Sequence, residues 1–408
     1  MRPETEEDCA RLIRAAERGF AIRGGGTRGW PAAAGGAPGA SGAGGSAADA
    51  GPAKGRTLDT RGMAGIVLYE PAALTMVVRA GTALADVQAA LDAEGQMLGF
   101  EPDPRPGSTI GGVAAANAAG PRRVQLGAAR DALIGLRYVD GRGEIVKNGG
   151  RVMKNVTGYD LVKLMAGSRG SLGVLTEVSL RTAPRPPARL TLVMPGLDAA
   201  ASVAALTMAL TGPFDVSGAA WLPGTGAMIR LEGLAGSVEI RARDLTARLS
   251  RKGTVEAREQ APWERLHPDA SPGAAPAGSS PADASPPGSS PGAQAAIAPD
   301  GAGVQQGAAA WDGAAPPGDL WRVICRPSAA GAILAANPAP VALDWGGGLI
   351  WLRLPPGAVP QLGGAGGHAR RVRGAAPGLI PAADPVVARL QQGLRARFDP
   401  RGLFQGSE

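Results

Sequence analysis

The stretch FAIRGGGT, residues 20–27, decides the fold that the sequence predicts. Phe20 to Arg23 has the composition of a short strand, and three glycines and Thr27 follow it directly. Because glycine has no Cβ, successive backbone N–H groups in such a loop can converge on an anion such as a diphosphate. A flexible surface turn would have the same composition, so this loop alone does not separate the two interpretations. It is not a Rossmann fingerprint, since no helix follows it directly.

A second glycine segment, PGSTIGGVAAAN, occupies residues 106–117. Ser108 and Thr109 offer hydroxyl groups, and Gly111 and Gly112 permit a close backbone approach. We expect a helix to begin here, and its positive N-terminal end would favour a bound phosphate. A tightly packed Ala/Gly helix has a similar composition. The order of strand, glycine loop and then this segment is more specific than either part alone.

A third glycine segment lies within NVTGYDLVKLMAGSRGSLGVLT, residues 155–176. Gly167, Gly170 and Gly173 flank a turn that leads into a short strand at residues 174–176. Such a strand could offer backbone donors and acceptors to a flat heterocycle. The alternative is a helix–turn–strand connection that needs glycines for positive φ angles.

The three segments occur together and in this order, with GAARD at residues 127–131 between the second and the third. On these motifs the chain resembles the FAD-binding fold of the vanillyl-alcohol oxidase type, also called the PCMH type. Within that fold it looks most similar to the FAD-binding E subunits of bacterial glycolate oxidases. The resemblance covers residues 4–187, and the ending FDPRGLF, residues 398–404, is similar to the family's C-terminal tail.

The resemblance implies which residues hold FAD. The first loop would bind the diphosphate, and the second segment would complete that cradle. The backbone of the third segment would face the flavin ring or the adenine side. In such flavoproteins the flavin performs the redox chemistry, while the protein positions and tunes it. The implied FAD-binding residues are Arg23, Gly24, Gly25, Gly26, Thr27, Gly107, Ser108, Thr109, Gly111, Gly112, Gly173, Val174 and Leu175.

The fold class that we expect is α+β. A two-part PCMH-type FAD-binding domain is expected at residues 1–187, with a flexible insertion at residues 29–55. A smaller α/β sandwich cap domain is expected at residues 188–380. It is interrupted at residues 268–317 by a Pro-, Ala-, Gly- and Ser-rich insert, which we expect to be disordered. A C-terminal helix and tail, residues 381–408, would return to the FAD domain.

Apolar residues at helical spacing predict an amphipathic helix at residues 6–18 and another that is capped by Thr82. Alternation within residues 132–147 predicts a β-hairpin. A β-α-β-β-α unit is expected within residues 189–249. The last predicted helix, residues 384–398, has one apolar stripe, which is formed by Val387, Leu390, Leu394 and Phe398.

The chain carries a formal net charge of +7, mostly as scattered arginines without interleaved aromatic residues. We therefore favour a solvated surface over nucleic-acid binding. The two cysteines, Cys9 and Cys325, have no metal-ligand spacing, so we expect no metal and no iron–sulfur cluster in this chain. No apolar run approaches the ~20 residues of a membrane span, and residues 1–10 do not resemble a signal peptide. We expect a cytoplasmic protein, with any peripheral contact to the inner membrane made through partners.

The sequence has only two histidines, His267 and His368, and both lie beyond the predicted FAD domain. Cys9 lies on the first helix, away from the loops, so we expect FAD to be bound non-covalently. A His-rich cap motif, which catalytic relatives carry, is absent from the sequence. We therefore expect the FAD-carrying subunit of a multisubunit glycolate (2-hydroxyacid) dehydrogenase that oxidises glycolate to glyoxylate. Its expected partners are a homologous FAD-binding catalytic subunit and an iron–sulfur subunit that receives the electrons.

Two other interpretations stay open. A self-sufficient FAD-dependent 2-hydroxyacid oxidoreductase would need a side chain for the substrate carboxylate, and Tyr159, Lys154 and Arg169 are the candidates. A solvated helix–loop surface is the preferred explanation of these three residues, so no catalytic residue is assigned. The third interpretation is a non-catalytic scaffold that has lost its flavin, but the intact glycine loops argue against it.

Overall fold

The computed structural model describes residues 1–28, 56–150, 158–268, 318–364, 366–374, 379–380 and 385–405. Their fold is α+β, as the sequence predicts. The insertion expected at residues 29–55 lies outside the described residues. So does the insert expected at residues 268–317, apart from Pro268.

The described strands and helices are numbered in chain order. The strands are β1 Phe20–Arg23, β2 Arg56–Asp59, β3 Ile66–Glu70, β4 Thr75–Arg79, β5 Gln96–Met97, β6 Leu133–Val139, β7 Ile145–Gly149, β8 Val174–Arg181, β9 Ala183–Pro184, β10 Ala188–Met194, β11 Val216–Leu222, β12 Gly226–Gly233, β13 Glu256–Arg258, β14 Asp319–Ile324, β15 Pro340–Asp344, β16 Leu349–Leu354, β17 His368–Arg373, β18 Leu379–Ile380 and β19 Phe404–Gln405. The helices are α1 Glu6–Arg14, α2 Leu84–Ala93, α3 Ile110–Ala115, α4 Arg123–Leu126, α5 Ala129–Ala132, α6 Leu161–Met165, α7 Ala199–Thr211, α8 Ala235–Leu249, α9 Ala330–Ala336 and α10 Pro385–Phe398.

Strands β1 to β9 and β19 form the N-terminal unit. Its main sheet has five antiparallel strands in the order β3-β4-β8-β6-β7. A smaller parallel sheet has the order β19-β1-β2, so the strand near the C-terminus pairs with the first strand. The predicted hairpin is confirmed as β6 and β7. The Asp140 carboxylate holds its turn by accepting the N–H groups of Arg142 and Glu144, each at 2.9 Å.

Strands β10 to β18 form one nine-stranded antiparallel sheet in the order β13-β10-β12-β11-β15-β16-β14-β17-β18. The predicted β-α-β-β-α unit is present as β10, α7, β11, β12 and α8, whereas β13, β17 and β18 were not predicted. All seven residues of β11 are buried, because α7 packs on one face and the N-terminal unit covers the other. Strand β9 still pairs within the first unit, and β10 is the first strand of the nine-stranded sheet. The domain limits expected from the sequence stay a prediction.

Helix α1 begins with a capping box, in which the Thr5 hydroxyl accepts the N–H of Asp8 at 3.0 Å. The helix ends at Arg14, four residues before the predicted end at residue 18. Arg401 accounts for the difference, because its guanidinium donates to the carbonyl oxygens of Ile13 and Arg14, each at 3.2 Å. A residue that is distant in sequence thus ends the helix, and local periodicity cannot predict that.

The prediction that Thr82 caps the second helix is wrong. The residue before α2 is Ala83, and it makes no side-chain cap. The Thr82 hydroxyl instead accepts the N–H of Gly65 at 2.8 Å and donates to the carbonyl oxygen of Arg79 at 2.7 Å. Its role is to join β3 to the end of β4 rather than to begin a helix.

The inner face of the nine-stranded sheet packs against the N-terminal unit. Ala119 and Val124 lie against a cluster that contains Trp345 and Trp351. The indole N–H of Trp345 donates to the carbonyl oxygen of Gly120 at 3.0 Å across this contact. The seam between the two units is therefore packed, and it brings cap side chains close to the glycine segments.

Candidate functional site

The three glycine segments predicted from the sequence converge in the structure. The first loop follows β1, and Gly25 lies directly against the backbone of Gly107 in the second segment. The third segment joins them through backbone hydrogen bonds, because Arg169 donates to Ala115 at 2.9 Å. It also packs on β1, where Gly170 lies against Ile22. Segments about 80 and 140 residues apart in sequence thus form one site.

The contact between the first two segments requires glycine. A Cβ atom added at Gly25 would lie 1.6 Å from the carbonyl oxygen of Gly107. A Cβ atom added at Gly24 would lie 2.3 Å from the Thr109 hydroxyl oxygen. Gly26 has a φ of +69°, which L-residues with side chains rarely adopt. The loop therefore depends on its glycines for close approach and for backbone conformation.

The backbone N–H groups of this loop are available to a ligand. Among the described residues, no acceptor pairs with the N–H groups of Gly24, Gly25, Gly26 or Thr27. These four residues are partly exposed or exposed, so a ligand can reach this part of the chain. Consecutive unpaired N–H groups in a turn form an anion-binding concavity. A diphosphate such as that of FAD fits this donor set.

An ion-pair clasp fixes the first loop to the second segment. Arg28 and Arg105 both bind the buried carboxylate of Asp103, and Arg105 also donates to the carbonyl oxygen of Thr27 at 3.0 Å. Burial alone would raise the pKa of the Asp103 carboxyl. The positive charges of His267, Arg28 and Arg105 nevertheless hold it below its usual value. The carboxylate therefore stays ionised and holds two arginines beside the loop.

The hydroxyl groups of the second segment are buried and already accept hydrogen bonds from the protein. Ser108 and Thr109 are only 2% and 3% exposed. The Ser108 oxygen accepts from Arg28 at 3.1 Å, and the Thr109 oxygen accepts the N–H of Gly112 at 3.2 Å as the N-cap of α3. Both hydroxyl oxygens therefore help to hold the loops in place, and their contact with a diphosphate stays a prediction.

Helix α3 also lacks the free N-terminus that the sequence predicts. The helix has six residues, and its first N–H groups already have acceptors. Ile110 donates to the carbonyl oxygen of Thr82 at 3.0 Å, and Gly111 donates to that of Ala80 at 2.8 Å. The positive end of this helix is thus bound by protein, and within this segment Gly107 is the exposed glycine.

Residues Gly173, Val174 and Leu175 lie at the start of β8, in the interior of the five-stranded sheet. The side chains of Val174 and Leu175 are 0% and 6% exposed. Their backbones are in register with Val139 and Tyr138 of β6. A backbone contact with a cofactor would have to come from the edge of β8 that faces away from β6, so the predicted role stays a prediction.

A cluster of cations lies where the third segment meets the nine-stranded sheet. Arg322 of β14 and Arg370 of β17 are directly opposite in register and therefore share a face. Burial, and then the charges of Arg370 and Arg322, lower the pKa of Arg169 to about 9. Burial and the same two arginines lower the pKa of His368. These four residues are called the arginine cluster below.

The indole of Trp351 adds a donor beside the arginine cluster. Trp351 of β16 is opposite Arg322 in register, so the two side chains share the inner face of the sheet. Its indole N–H is buried and has no partner in the part of the chain that the structure describes. A buried N–H without an acceptor is costly, and such groups often mark a place for a ligand or a water molecule.

The structure separates the three candidates for carboxylate binding. Arg169 belongs to the cluster, whereas Tyr159 is 89% exposed, and Lys154 lies outside the described residues. The sequence analysis missed Arg322 and Arg370. Arg322 is a lone charge between apolar residues in LWRVI, residues 320–324, which is a usable signal, but Arg370 lies on β17, where no strand was predicted.

Burial raises the pKa of both cysteine thiols. Cys9 of α1 is fully buried, and burial followed by the charges of Glu6 and Asp8 raises the pKa of its thiol to about 12. Burial raises the pKa of Cys325 to about 11. Within the described residues, no group of three or more His, Cys, Asp or Glu side chains could hold a metal ion. In the same part of the chain, no helix has the length and apolar character to cross a membrane.

Comparisons with known proteins agree with this site. The model of an FAD binding domain matches residues 1–149, which include the first two glycine segments. The glycolate oxidase subunit GlcE of Escherichia coli is 35% identical over 86% of this chain and 85% of that protein. The glycolate oxidase subunit GlcD of Bacillus subtilis is 38% identical over 31% of this chain and 28% of that protein. A D-lactate dehydrogenase of Anaerostipes hadrus is 40% identical over 33% of this chain and 28% of that protein.

The fold, the glycine loops and the matched domain define an FAD-dependent oxidoreductase with a PCMH-type FAD-binding domain. The similarity to GlcE extends over most of both chains, and the chain belongs to the family of the glycolate oxidase subunit GlcE. FAD is its cofactor, and the N–H groups of residues 24–27 are the donors that would hold the diphosphate. Bound FAD would supply a two-electron redox centre, while the chain supplies binding and orientation.

Proposed function

We propose that this chain is the FAD-carrying subunit of a multisubunit dehydrogenase that oxidises glycolate to glyoxylate. The observation that carries the proposal is the row of unpaired N–H groups at residues 24–27, held against Gly107 by contacts that only glycine permits. The names of two relatives, glycolate oxidase subunits GlcE and GlcD, support both the substrate and a complex.

The proposed division of work follows from the side chains present. The described residues bind FAD from the N-terminal unit and cover it with the inner face of the nine-stranded sheet. A homologous FAD-binding subunit would carry most of the substrate site. The electron acceptor would be an iron–sulfur partner. The cluster would belong to that partner, because the two cysteines of this sequence are too few for the four thiolates that usually hold one. A cytoplasmic location, with contact to the inner membrane through these partners, is part of the proposal.

The test compares the lone chain with the chain co-expressed with its partner subunits. The measurements are flavin absorbance and glycolate-dependent reduction of a dye. We expect a yellow lone chain without turnover and a yellow complex with turnover. Turnover by the lone chain would contradict the subunit assignment. A colourless chain that FAD cannot reconstitute would instead support the non-catalytic scaffold.

A self-sufficient oxidoreductase is the second candidate, and the arginine cluster is the observation that favours it. Arg169, Arg322 and Arg370 bring three positive charges together at the seam, and Trp351 adds a buried donor. Such a group suits the carboxylate of a 2-hydroxy acid. If the lone chain turns over glycolate, Arg322→Leu should raise KM at least about tenfold, which is about 1.4 kcal/mol of binding. The control is the exposed Arg326→Leu, which should leave KM unchanged.

We also propose that the flavin is held without a covalent bond. Fully buried Cys9, with its pKa raised to about 12, has almost no thiolate at neutral pH. Precipitation of the purified chain with trichloroacetic acid should therefore release all flavin into the supernatant, and Cys9→Ala should bind as much FAD as the unchanged protein. Flavin that stays with the pellet would refute non-covalent binding.

A further inference from the structure

Helix α10 has an apolar stripe that faces solvent. Its residues Val387, Leu390 and Leu394 follow one another at spacings of three and four, so they lie along one side of the helix. Their side chains are 45%, 62% and 36% exposed. No residue of α10 is buried, although its sequence has the pattern of a helix that packs on a core.

The C-terminal end of the same stripe is fixed to the N-terminal unit. Phe398 lies 6.3 Å from the ring of Tyr138, measured between ring centroids. The carbonyl oxygen of Phe398 accepts the N–H of Gly141 at 2.8 Å. Asp399 then binds the N–H groups of Leu403 and Phe404, at 2.8 and 2.6 Å. The helix is thus anchored at one end, and the rest of its stripe continues outward from this anchor.

Such a helix gains little stability from its own contacts. Helices shorter than ~12–15 residues are marginal in water, and Gly393 within this one costs about 1 kcal/mol relative to alanine. Covering a leucine fully contributes about 1.5–3 kcal/mol. A surface that covers Leu390 and Leu394 would therefore account for both the stripe and the ordered helix.

The charges beside the stripe indicate what covers it. The helix contains Arg389, Arg395 and Arg397 and no acidic residue. Charged groups around an interface are usually matched by opposite charges on the partner, which give specificity and a faster encounter. The complementary surface is therefore an apolar groove with an acidic rim, into which an amphipathic helix inserts anchors on successive turns.

We propose that α10 is the docking helix by which this chain joins a partner subunit, and that the partner presents an apolar groove with an acidic rim. The inference rests on the proposed function, since it requires the multisubunit complex. A protein groove suits the stripe better than a lipid surface. The exposed apolar residues of α10 are Val386, Val387, Leu390 and Leu394 and include no aromatic residue, whereas helices that lie in membrane interfaces present Trp and Phe beside Leu.

The test uses the full chain co-expressed with its partner subunits. Leu390→Asp places a charge in the middle of the stripe, and we expect the Kd for the partner to rise at least tenfold. Ile240→Asp on α8 is the matched control, because Ile240 is 54% exposed on another helix, and it should leave the Kd unchanged. A milder variant, Leu390→Gln, and the charge variant Arg389→Glu should each weaken binding, the latter with a smaller dependence on salt.

Flavin content is the folding control, because the contacts described for α10, with Tyr138 and Gly141, lie outside the glycine loops. All variants should keep the FAD content of the unchanged chain. If the unchanged chain forms no complex at all, the proposed function itself fails. If the complex forms and Leu390→Asp binds as tightly as Ile240→Asp, the docking helix is refuted. Loss of binding to anionic phospholipid vesicles, or loss of a homodimer, with partner binding intact would also refute it and assign the stripe to a membrane or to a second copy.

Discussion

The first glycine loop and the inner face of the nine-stranded sheet form the two sides of the candidate site, and they are built in opposite ways. The loop offers backbone N–H groups, and its neighbours are held at distances that exclude a Cβ atom. The inner face offers side chains, with the arginine cluster and Trp351 near one end and a buried ion network at the other. The first side is specified by residues that are adjacent in sequence, and the second by residues from many strands.

The ion network joins the two units across the seam. Glu232 of β12 binds Arg122 of the N-terminal unit and accepts from Arg189 at 2.8 Å. Arg230 binds Glu101 through two hydrogen bonds, of 2.8 and 2.6 Å. Burial alone would raise the pKa of Glu232, but Arg230 and Arg122 hold it below its usual value. The loop side of the candidate site therefore consists of backbone groups, whereas the other side is held to the N-terminal unit by buried ion pairs.

The largest expected effect is a loss of stability when Glu232, at the centre of this network, is replaced. Glu232→Ala should destabilise the protein by about 3–5 kcal/mol, because it leaves Arg122 and Arg230 buried without their shared carboxylate. Urea unfolding followed by tryptophan fluorescence measures the loss. The control is Glu239→Ala on exposed α8, which should change stability by less than about 0.5 kcal/mol. Equal midpoints for the two variants would show that the network does not hold the seam.

The next largest effect is expected on the affinity for FAD, when the ion-pair clasp beside the first glycine loop is removed. Asp103→Asn removes the charge that holds Arg28 and Arg105, so we expect the Kd for FAD to rise roughly tenfold to a hundredfold, which is about 1.4–2.8 kcal/mol. Titration of the apoprotein with FAD, followed by flavin fluorescence, gives this Kd. Asp92→Asn is the matched control, since Asp92 pairs with Arg185 on the surface. An Asp103→Asn protein that binds FAD as tightly as this control would mean that the clasp does not shape the loop.

Measured per pH unit, the smallest effect is a pH dependence of stability on the cap side. Burial raises the pKa of Asp344 to about 8, above its value in the unfolded chain. The folded protein therefore keeps a proton that the unfolded chain loses, and stability falls as pH rises from about 4 to about 8, by at most ~1.4 kcal/mol per pH unit. Asp344→Asn should lack this slope and gain stability relative to the unchanged protein above pH 8. Parallel curves of the unfolding free energy between pH 4 and 9 would contradict the assignment.

The features that could be predicted from the sequence are those formed by residues adjacent in the chain. The glycine segments were recognisable because the chemistry depends on three short runs of residues, and each run is contiguous. Strand β1 was predicted with its observed limits for the same reason, since a short strand-like run and the glycines that follow it are local signals. The nine-stranded sheet was predicted in part, because its β-α-β-β-α unit is contiguous, whereas β17 and β18 lie in arginine- and glycine-rich sequence.

The errors arise where tertiary contacts override local patterns. The contacts that Arg28 and Gly112 make with the hydroxyl oxygens of Ser108 and Thr109 were not predicted. The end of α1 depends on Arg401, nearly 400 residues away. Arg322 and Arg370 meet only because β14 and β17 pair. None of these contacts has a signal within one window of sequence.

The most direct test of the central claim measures FAD in the purified full-length chain and in Gly25→Ala. A Cβ atom at Gly25 would lie 1.6 Å from the Gly107 carbonyl oxygen, so the loop must move and its N–H groups lose their arrangement. The control is Gly236→Ala on α8, where an added Cβ meets no atom within 4 Å. We predict flavin absorbance in the unchanged chain and in the control, and a folded, colourless Gly25→Ala protein. Equal flavin content in all three would contradict the claim that this loop holds FAD.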